Sequence, residues 1–271
     1  MAITETIELL GKGLYGEDIP DTLTLIPMTS TLQMEYEGSE SLETTLLDSI
    51  LPKCVQEKID FRKLLNIDFQ WVLRALRILT FGEFHTTDTI FCRSCDDISR
   101  GEYRVNITTI PCRPLPEGFK NTLKIRKEDL MDCGHDIEFK LLTVQEIINA
   151  RKDKAFTIAG KHNIELARVC YMISSMNGKK DMKPFEVRLE VDKLSGPDWV
   201  LLKSSMMELL EYGLEATGST KCPKCGEEAV FIALVDERFL FATVGDIREW
   251  RNSGGRGKAK NISADTAAAN G

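Results

Sequence analysis

Two cysteine pairs carry the clearest chemistry in this chain. Cys92-Arg-Ser-Cys95 and Cys222-Pro-Lys-Cys225-Gly226 share C-x2-C spacing, which lets one tight turn aim two thiolates at a single ion. A tetrahedral Zn(II) takes four sulfurs at ~2.3 Å. Pro223 and Gly226 suit the second pair to such a turn. Two knuckles make one ligand set, so Cys92, Cys95, Cys222 and Cys225 read as the ligands of one structural zinc ion. The separation is unusual, because 126 residues lie between Cys95 and Cys222, where a local zinc ribbon has ~15 to 20. Each pair is nevertheless flanked by strand-like segments, so two hairpins from distant parts of the chain could converge on one ion. The alternatives are a redox pair, two unrelated turns, or a mixed site that uses Cys112 or the Cys133-Gly-His135 cluster. Cys54 and Cys170 lie among apolar residues at helical spacing and read as small core residues.

Signatures of catalysis are missing. The chain has no GxxxxGK[ST] loop, no GxSxG elbow and no HExxH helix. Neither His85 nor His162 has a companion at ligand spacing, and Gly254-Gly-Arg-Gly257 neither follows a strand nor opens a helix. A zinc ion closed by four thiolates leaves no open position for chemistry. The expectation is a protein that is not an enzyme.

Composition sets the frame for these residues. With 271 residues, 42% apolar and 28% charged, the chain is a globular protein of one large or two modest domains. The longest apolar stretch, Trp71 to Phe81, is broken by Arg74 and Arg77, so no run reaches the ~18 residues of a membrane span. The first residues, Met-Ala-Ile-Thr-Glu-Thr-Ile-Glu, put acids where a secretory leader has bases, and Ala2 offers no myristoylation site. The expectation is a reducing compartment, where a chain rich in cysteine binds metal rather than forming disulfides. Net charge is −7, and the segment from Arg251 onward carries four basic residues against one acid, leaving −10 on residues 1–250. An acidic body disfavours phosphate backbones and so a nucleic-acid partner.

The elements that must position the knuckles follow from periodicity. Residues 1–20, with Gly11, Gly13, Gly16 and Pro20, read as a loosely tied arm, and Leu23 to Met34 as short strands; together 1–38 form an N-terminal segment. Leu42, Leu46, Leu47 and Ile50 predict a short helix. Phe61 to Leu79 keep a helical period that breaks near Asn66, with Arg74 and Arg77 on the polar side and Gly82 as a C-cap. Phe84 to Phe91 and Tyr103 to Ile107 predict strands joined by the ten residues Cys92 to Gly101. Ile137, Phe139 and Leu141 alternate as in a strand. Thr143-Val-Gln-Glu146 is a capping box that opens a helix, a second helix covers Asn163 to Met176 up to Asn177-Gly178, and a third follows Ser195-Gly-Pro197. Strand signals return at Leu214 to Thr220 and Ala229 to Leu234. The predicted fold is α+β: strand hairpins bearing two cysteine knuckles, a zinc-ribbon-like unit built from distant segments, with an inserted helical region. In this reading residues 39–250 form the body, with 143–213 as a helical subdomain between the knuckles, and 251–271 form a flexible basic tail.

The segment Asp68-Phe-Gln-Trp-Val-Leu-Arg-Ala-Leu-Arg77, then Thr80-Phe-Gly-Glu83, the strand into Cys92-x-x-Cys95 and the strand Tyr103 to Ile110, resembles the T4-type baseplate protein family of contractile-tailed bacteriophages. Leu46 to Cys54 is similar to the family's leucine-rich helix. The resemblance covers about residues 40–110, and Cys222 to Phe241 more loosely. It implies a structural or assembly protein at the hub or wedge end of the tail, present in the host cytoplasm during assembly and then in the virion. Its partners would be other baseplate and tail proteins and copies of itself. Met206, Met207, Phe239 and Phe241 fit such contacts. Two other readings stand beside it: an assembly chaperone absent from the mature virion, and a zinc-ribbon nucleic-acid-binding protein.

Overall fold

Alternating short apolar strands and helical stripes fold as a mixture of helix and strand in the computed structural model, which describes residues 3–233, Val235, Phe239 and Leu240. The basic stretch 251–271 and Phe241 lie outside the described residues. In chain order the elements are β1 (Glu5–Glu8), β2 (Thr22–Leu25), α1 (Ser30–Glu37), α2 (Asn66–Phe81), β3 (Phe84–Cys92), β4 (Asp97–Asn106), β5 (Leu123–Ile125) and β6 (Ile137–Phe139). They continue with α3 (Val144–Lys152), α4 (Ile164–Met172), β7 (Ile173–Met176), β8 (Lys179–Lys180), α5 (Pro184–Val191), α6 (Gly196–Leu210), β9 (Thr217–Lys221) and β10 (Glu228–Ile232). Between α1 and α2 a run of helical turns covers residues 42–54, where the sequence predicts a short helix, and shorter turns and bridges connect the rest.

The chain divides into two compact units. The first takes residues 1–61, 67–114 and 213 onward; the second takes 62–66 and 115–212. Between the two knuckles in sequence, the second unit runs from Leu115 to Tyr212, and this stretch carries a sheet as well as helices.

In the first unit, α2 supplies the longest apolar face. Val72, Leu73 and Leu76 are fully buried, and each such side chain contributes about 1.5–3 kcal/mol of burial. The helix stops at Gly82, whose φ of +85° suits a residue without Cβ. Arg74 and Arg77, expected on the polar side, are buried as well. Arg74 donates to the carbonyls of Ile107 and Thr108 at 3.2 Å each, and Arg77 Nη2 donates to Phe84 O at 3.2 Å. Carbonyls at the ends of β3 and β4 need donors, and the two guanidinium groups supply them. Amphipathic patterning places arginine in water by default and misses this.

Residues 3–20, expected to be a loosely tied arm, pack against their own unit. β1 pairs antiparallel with β2, and Ile7, Leu9, Ile19, Leu23 and Leu25 are buried. The Trp71 indole donates to Glu8 O at 3.1 Å. Strands of four residues between glycines are too short to give a periodic signal, yet their alternation turns one face inward. Ser30 to Met34, expected to be extended, begins α1, with the Thr29 hydroxyl accepting from Leu32 N as N-cap.

The second unit centres on a four-stranded sheet, ordered β8-β7-β6-β5, with Ile137, Phe139 and Ile173 buried. The capping box of α3 forms as the sequence predicts: Thr143 Oγ1 accepts from Glu146 N, and the Glu146 carboxylate accepts from Thr143 N at 2.9 Å. The expected helix from Asn163 to Met176 instead ends at Met172 and becomes β7. Asn177 and Gly178, with φ of +52° and +72°, make the two-residue turn of the β7–β8 hairpin, a conformation Asn-Gly favours over any helix stop.

Candidate metal centre

The four-stranded sheet of the first unit runs in the order β9-β10-β3-β4. Hairpin β3–β4 pairs Cys92 with Asp97, so its turn is the short stretch Arg93–Asp96 rather than the ten residues expected. Asp96 takes a φ of +47° to close it, and Asp96 N donates to Arg93 O at 3.2 Å. Aspartate tolerates that left-handed conformation. Hairpin β9–β10 pairs Lys221 with Glu228 and turns through Cys222 to Glu227. There Gly226 N donates to Cys222 O at 2.9 Å and Cys222 N to Glu227 O at 2.8 Å, with Gly226 at a φ of +77°.

Register then brings the two turns together. β10 pairs antiparallel with β3 through Val230↔Phe91 and Phe231↔Ile90, so the beginning of β10, just after the second knuckle, lies beside the end of β3, where the first begins. Phe231, Ile90 and Ala229 are buried on the inner face and hold that pairing. All four sulfurs, of Cys92, Cys95, Cys222 and Cys225, lie within 4.8 Å of one another. Cys92 Sγ is 3.7 Å from Cys225 Sγ, and Cys95 Sγ is 4.0 Å from Cys222 Sγ. These distances exceed a disulfide bond of ~2.04 Å, and all eight cysteines are free thiols.

The clustered thiols shift one another's ionisation. Backbone N–H groups of Cys225 and Lys224 point at the Cys222 sulfur and draw its pKa down to about 7. The hydrogen bond between Cys95 and the Cys225 sulfur, followed by desolvation, pushes the Cys95 thiol up to about 12. Four thiolates repel one another, so full ionisation needs positive charge at their centre. The four cysteines could hold a metal ion with sulfur ligands alone, two from each hairpin.

Comparison with known proteins finds no family model, no curated protein and no solved structure that matches this chain. The site stands on its own geometry.

The remaining candidates are placed elsewhere. Among the described residues no other cluster of metal-ligating side chains forms. Cys112 is paired in a short bridge with Leu214, and burial pushes its thiol up to about 11. The Cys133 thiol faces the oxygens of His135 and Asn177 at 3.1 and 3.0 Å, which is a hydrogen-bonded core thiol and not a ligand. Cys54 and Cys170 are buried, with thiols pushed up by desolvation to about 11 and about 12. His162 Nε2 lies 2.9 Å from Ala150 O, and the His85 ring is 5.3 Å from that of Phe239. The amide donors at Lys224 and Cys225 are those that the Pro-Lys-Cys-Gly context implies, a turn that aims successive backbone amides inward along with its sulfurs.

Proposed function

We propose that this protein is a structural or assembly component of a bacteriophage contractile-tail baseplate, held together by a zinc ion on Cys92, Cys95, Cys222 and Cys225, and that it acts through protein–protein contacts. The carrying observation is the convergence of two C-x2-C turns, from chain segments more than a hundred residues apart, into one group of four sulfurs. Zinc–sulfur bonds of ~2.3 Å arranged tetrahedrally put sulfurs about 3.8 Å apart, which matches the 3.7 and 4.0 Å contacts. Bound there, zinc would supply a crosslink and no catalysis, since all four positions are taken by protein.

The baseplate reading is supported by the resemblance of Asp68 to Arg77, Thr80 to Glu83, the first knuckle and Tyr103 to Ile110. These residues form the frame of the first unit, where Asp68, Arg74 and Arg77 are buried and hydrogen-bonded to the backbone. A protein neighbour is favoured over nucleic acid by the acidic charge and by exposed Phe91, Ile98 and Ile232 on the outer face of the knuckle sheet. In this reading the protein is made in the host cytoplasm and retained in the virion.

Elemental analysis of the purified protein tests the metal, with one zinc per chain expected and none overturning it. Mass spectrometry of purified particles tests the role. Stoichiometric presence supports a structural subunit, whereas absence from particles together with failed tail assembly on gene deletion assigns a chaperone. Strongly salt-dependent DNA binding would favour a zinc-ribbon nucleic-acid module instead.

A further inference from the structure

Two sulfur–sulfur contacts of 4.0 Å or less run between the knuckles, Cys92 with Cys225 at 3.7 Å and Cys95 with Cys222 at 4.0 Å. Closing either pair to a disulfide of ~2.04 Å moves each sulfur by about 1 Å. A shift of that size can be made within the cysteine side chains, away from the Val230↔Phe91 and Phe231↔Ile90 pairs that set the β10–β3 register. Cys225 is exposed while Cys92 and Cys222 are buried, so a small oxidant reaches Cys225 first.

We propose that this cluster is an oxidation site as well as a metal site: a peroxide converts it to the disulfides Cys92–Cys225 and Cys95–Cys222, releasing the ion while the two hairpins stay tied. The inference rests on the metal reading above, and on a particle that passes from a reducing cytoplasm to an oxidising medium. In the first step the Cys225 thiolate attacks hydrogen peroxide. A sulfur–oxygen bond forms, the oxygen–oxygen bond breaks, and the leaving hydroxide takes a proton to become water. Cys92 then attacks the sulfenic sulfur of Cys225; a sulfur–sulfur bond forms, the sulfur–oxygen bond breaks, and a second water leaves. One peroxide is reduced to two waters for each disulfide, and a second equivalent joins Cys95 to Cys222. With its four thiolates consumed, the site releases its cation.

Connectivity gives this consequence. Bonds within each C-x2-C pair would close two small loops and leave the hairpins joined only by strand pairing. The Cys92–Cys225 bond spans 133 positions, and such a long closed loop restricts the unfolded chain far more.

The protein as purified is treated with two equivalents of hydrogen peroxide beside a chromogenic metal indicator, alkylated without reduction, and digested with trypsin. Cleavage after Arg93, Lys221 and Lys224 puts the four cysteines on four separate peptides, so mass spectrometry reads the connectivity directly. The expected result is metal release together with peptides linking Cys92 to Cys225 and Cys95 to Cys222, with Cys54, Cys112, Cys133 and Cys170 still alkylated. Linkage of Cys92 to Cys95 and Cys222 to Cys225, or sulfinic and sulfonic acids without crosslinks, overturns the proposal. Metal content before treatment is the separate test of the metal reading. A metal-free preparation defeats that reading while the crosslink map still decides this one.

Discussion

The Tyr15 hydroxyl donates to the carboxylate of Asp68, 53 positions away in the chain, at the buried opening of α2. The same carboxylate accepts from two consecutive backbone amides, Leu10 N at 2.5 Å and Gly11 N at 3.1 and 3.2 Å. One side chain thus satisfies three donors and fixes the N-terminal strands against the helix that leads to the first knuckle. Asp68→Ala strands those donors in a buried place, so we expect a loss of about 3 kcal/mol, since each unsatisfied buried group costs ~1–3 kcal/mol. Urea denaturation measures it, and a change below about 1 kcal/mol would show that water replaces the carboxylate.

Asp68 also carries a pH signature. Desolvation pushes its pKa above the ordinary carboxylate value, against the pull of its hydrogen bonds from Tyr15, Gly11 and Leu10. A group raised in this way contributes its full stability below its unfolded pKa and loses it as pH rises through the folded one. Relative to Asp68→Asn, the wild-type protein should therefore gain stability as pH falls from 7 toward the ordinary carboxylate range. A stability difference that stays flat over that window would show that Asp68 titrates normally.

A second carboxylate does the same work in the other unit. Asp198, third residue of α6 as Asp68 is of α2, is buried and accepts from Met131 N at 2.8 Å and Asp132 N at 2.9 Å. Asp132 answers by accepting from Ser195 N at 2.7 Å. Asp198→Ala should cost about 1–3 kcal/mol and accelerate hydrogen exchange at the Met131 and Asp132 amides. Unchanged exchange there would mean that the loop is held by something else.

These clasps mark where sequence reading stops. The cysteine pairs and the capping box at Thr143 and Glu146 are legible because their partners sit within four residues, where spacing alone encodes geometry. Asp68 and Asp198 look like ordinary helix-start acids, and their real partners are amides 58 and 67 positions away. The convergence of the knuckles is legible as a requirement of four-sulfur chemistry, while the β10–β3 pairing that produces it depends on tertiary packing. Asn177-Gly178 carries a strong hairpin signal, overridden in the reading by the apolar period of Val169 to Met176, which suits a buried strand equally well.

Gly218 is a backbone position on which the second knuckle depends. It lies on β9 opposite Phe231, and a Cβ there would collide with the buried Phe231 ring. Phe231 is also the residue whose pairing with Ile90 joins β10 to β3. Gly218→Ala should lower stability by about 1–3 kcal/mol through overpacking, and weaken metal binding by displacing one hairpin. Competition with a chromogenic chelator measures the second effect. A variant of lower stability that retains full metal affinity would separate the packing of Phe231 from the sulfur geometry.

The last expectation concerns protons at the four sulfurs. Metal binding requires thiolates, so every thiol that is protonated beforehand must release its proton to the solvent. The Cys222 thiol, drawn down to about 7 by the Cys225 and Lys224 amides, is half ionised near neutrality, while Cys95, pushed up to about 12, still holds its proton. The sign follows: protons compete with metal, so affinity rises with pH. Below pH 7 the dependence steepens, because Cys222 then adds a proton of its own to those displaced. Between pH 6 and 8 affinity should climb by at least about tenfold per unit, measured by competition against a chelator of known affinity at each pH. A simultaneous count of released protons in weak buffer should exceed one per ion at pH 7. Affinity independent of pH would mean that the sulfurs are already ionised, which the mutual repulsion of four unscreened thiolates does not allow.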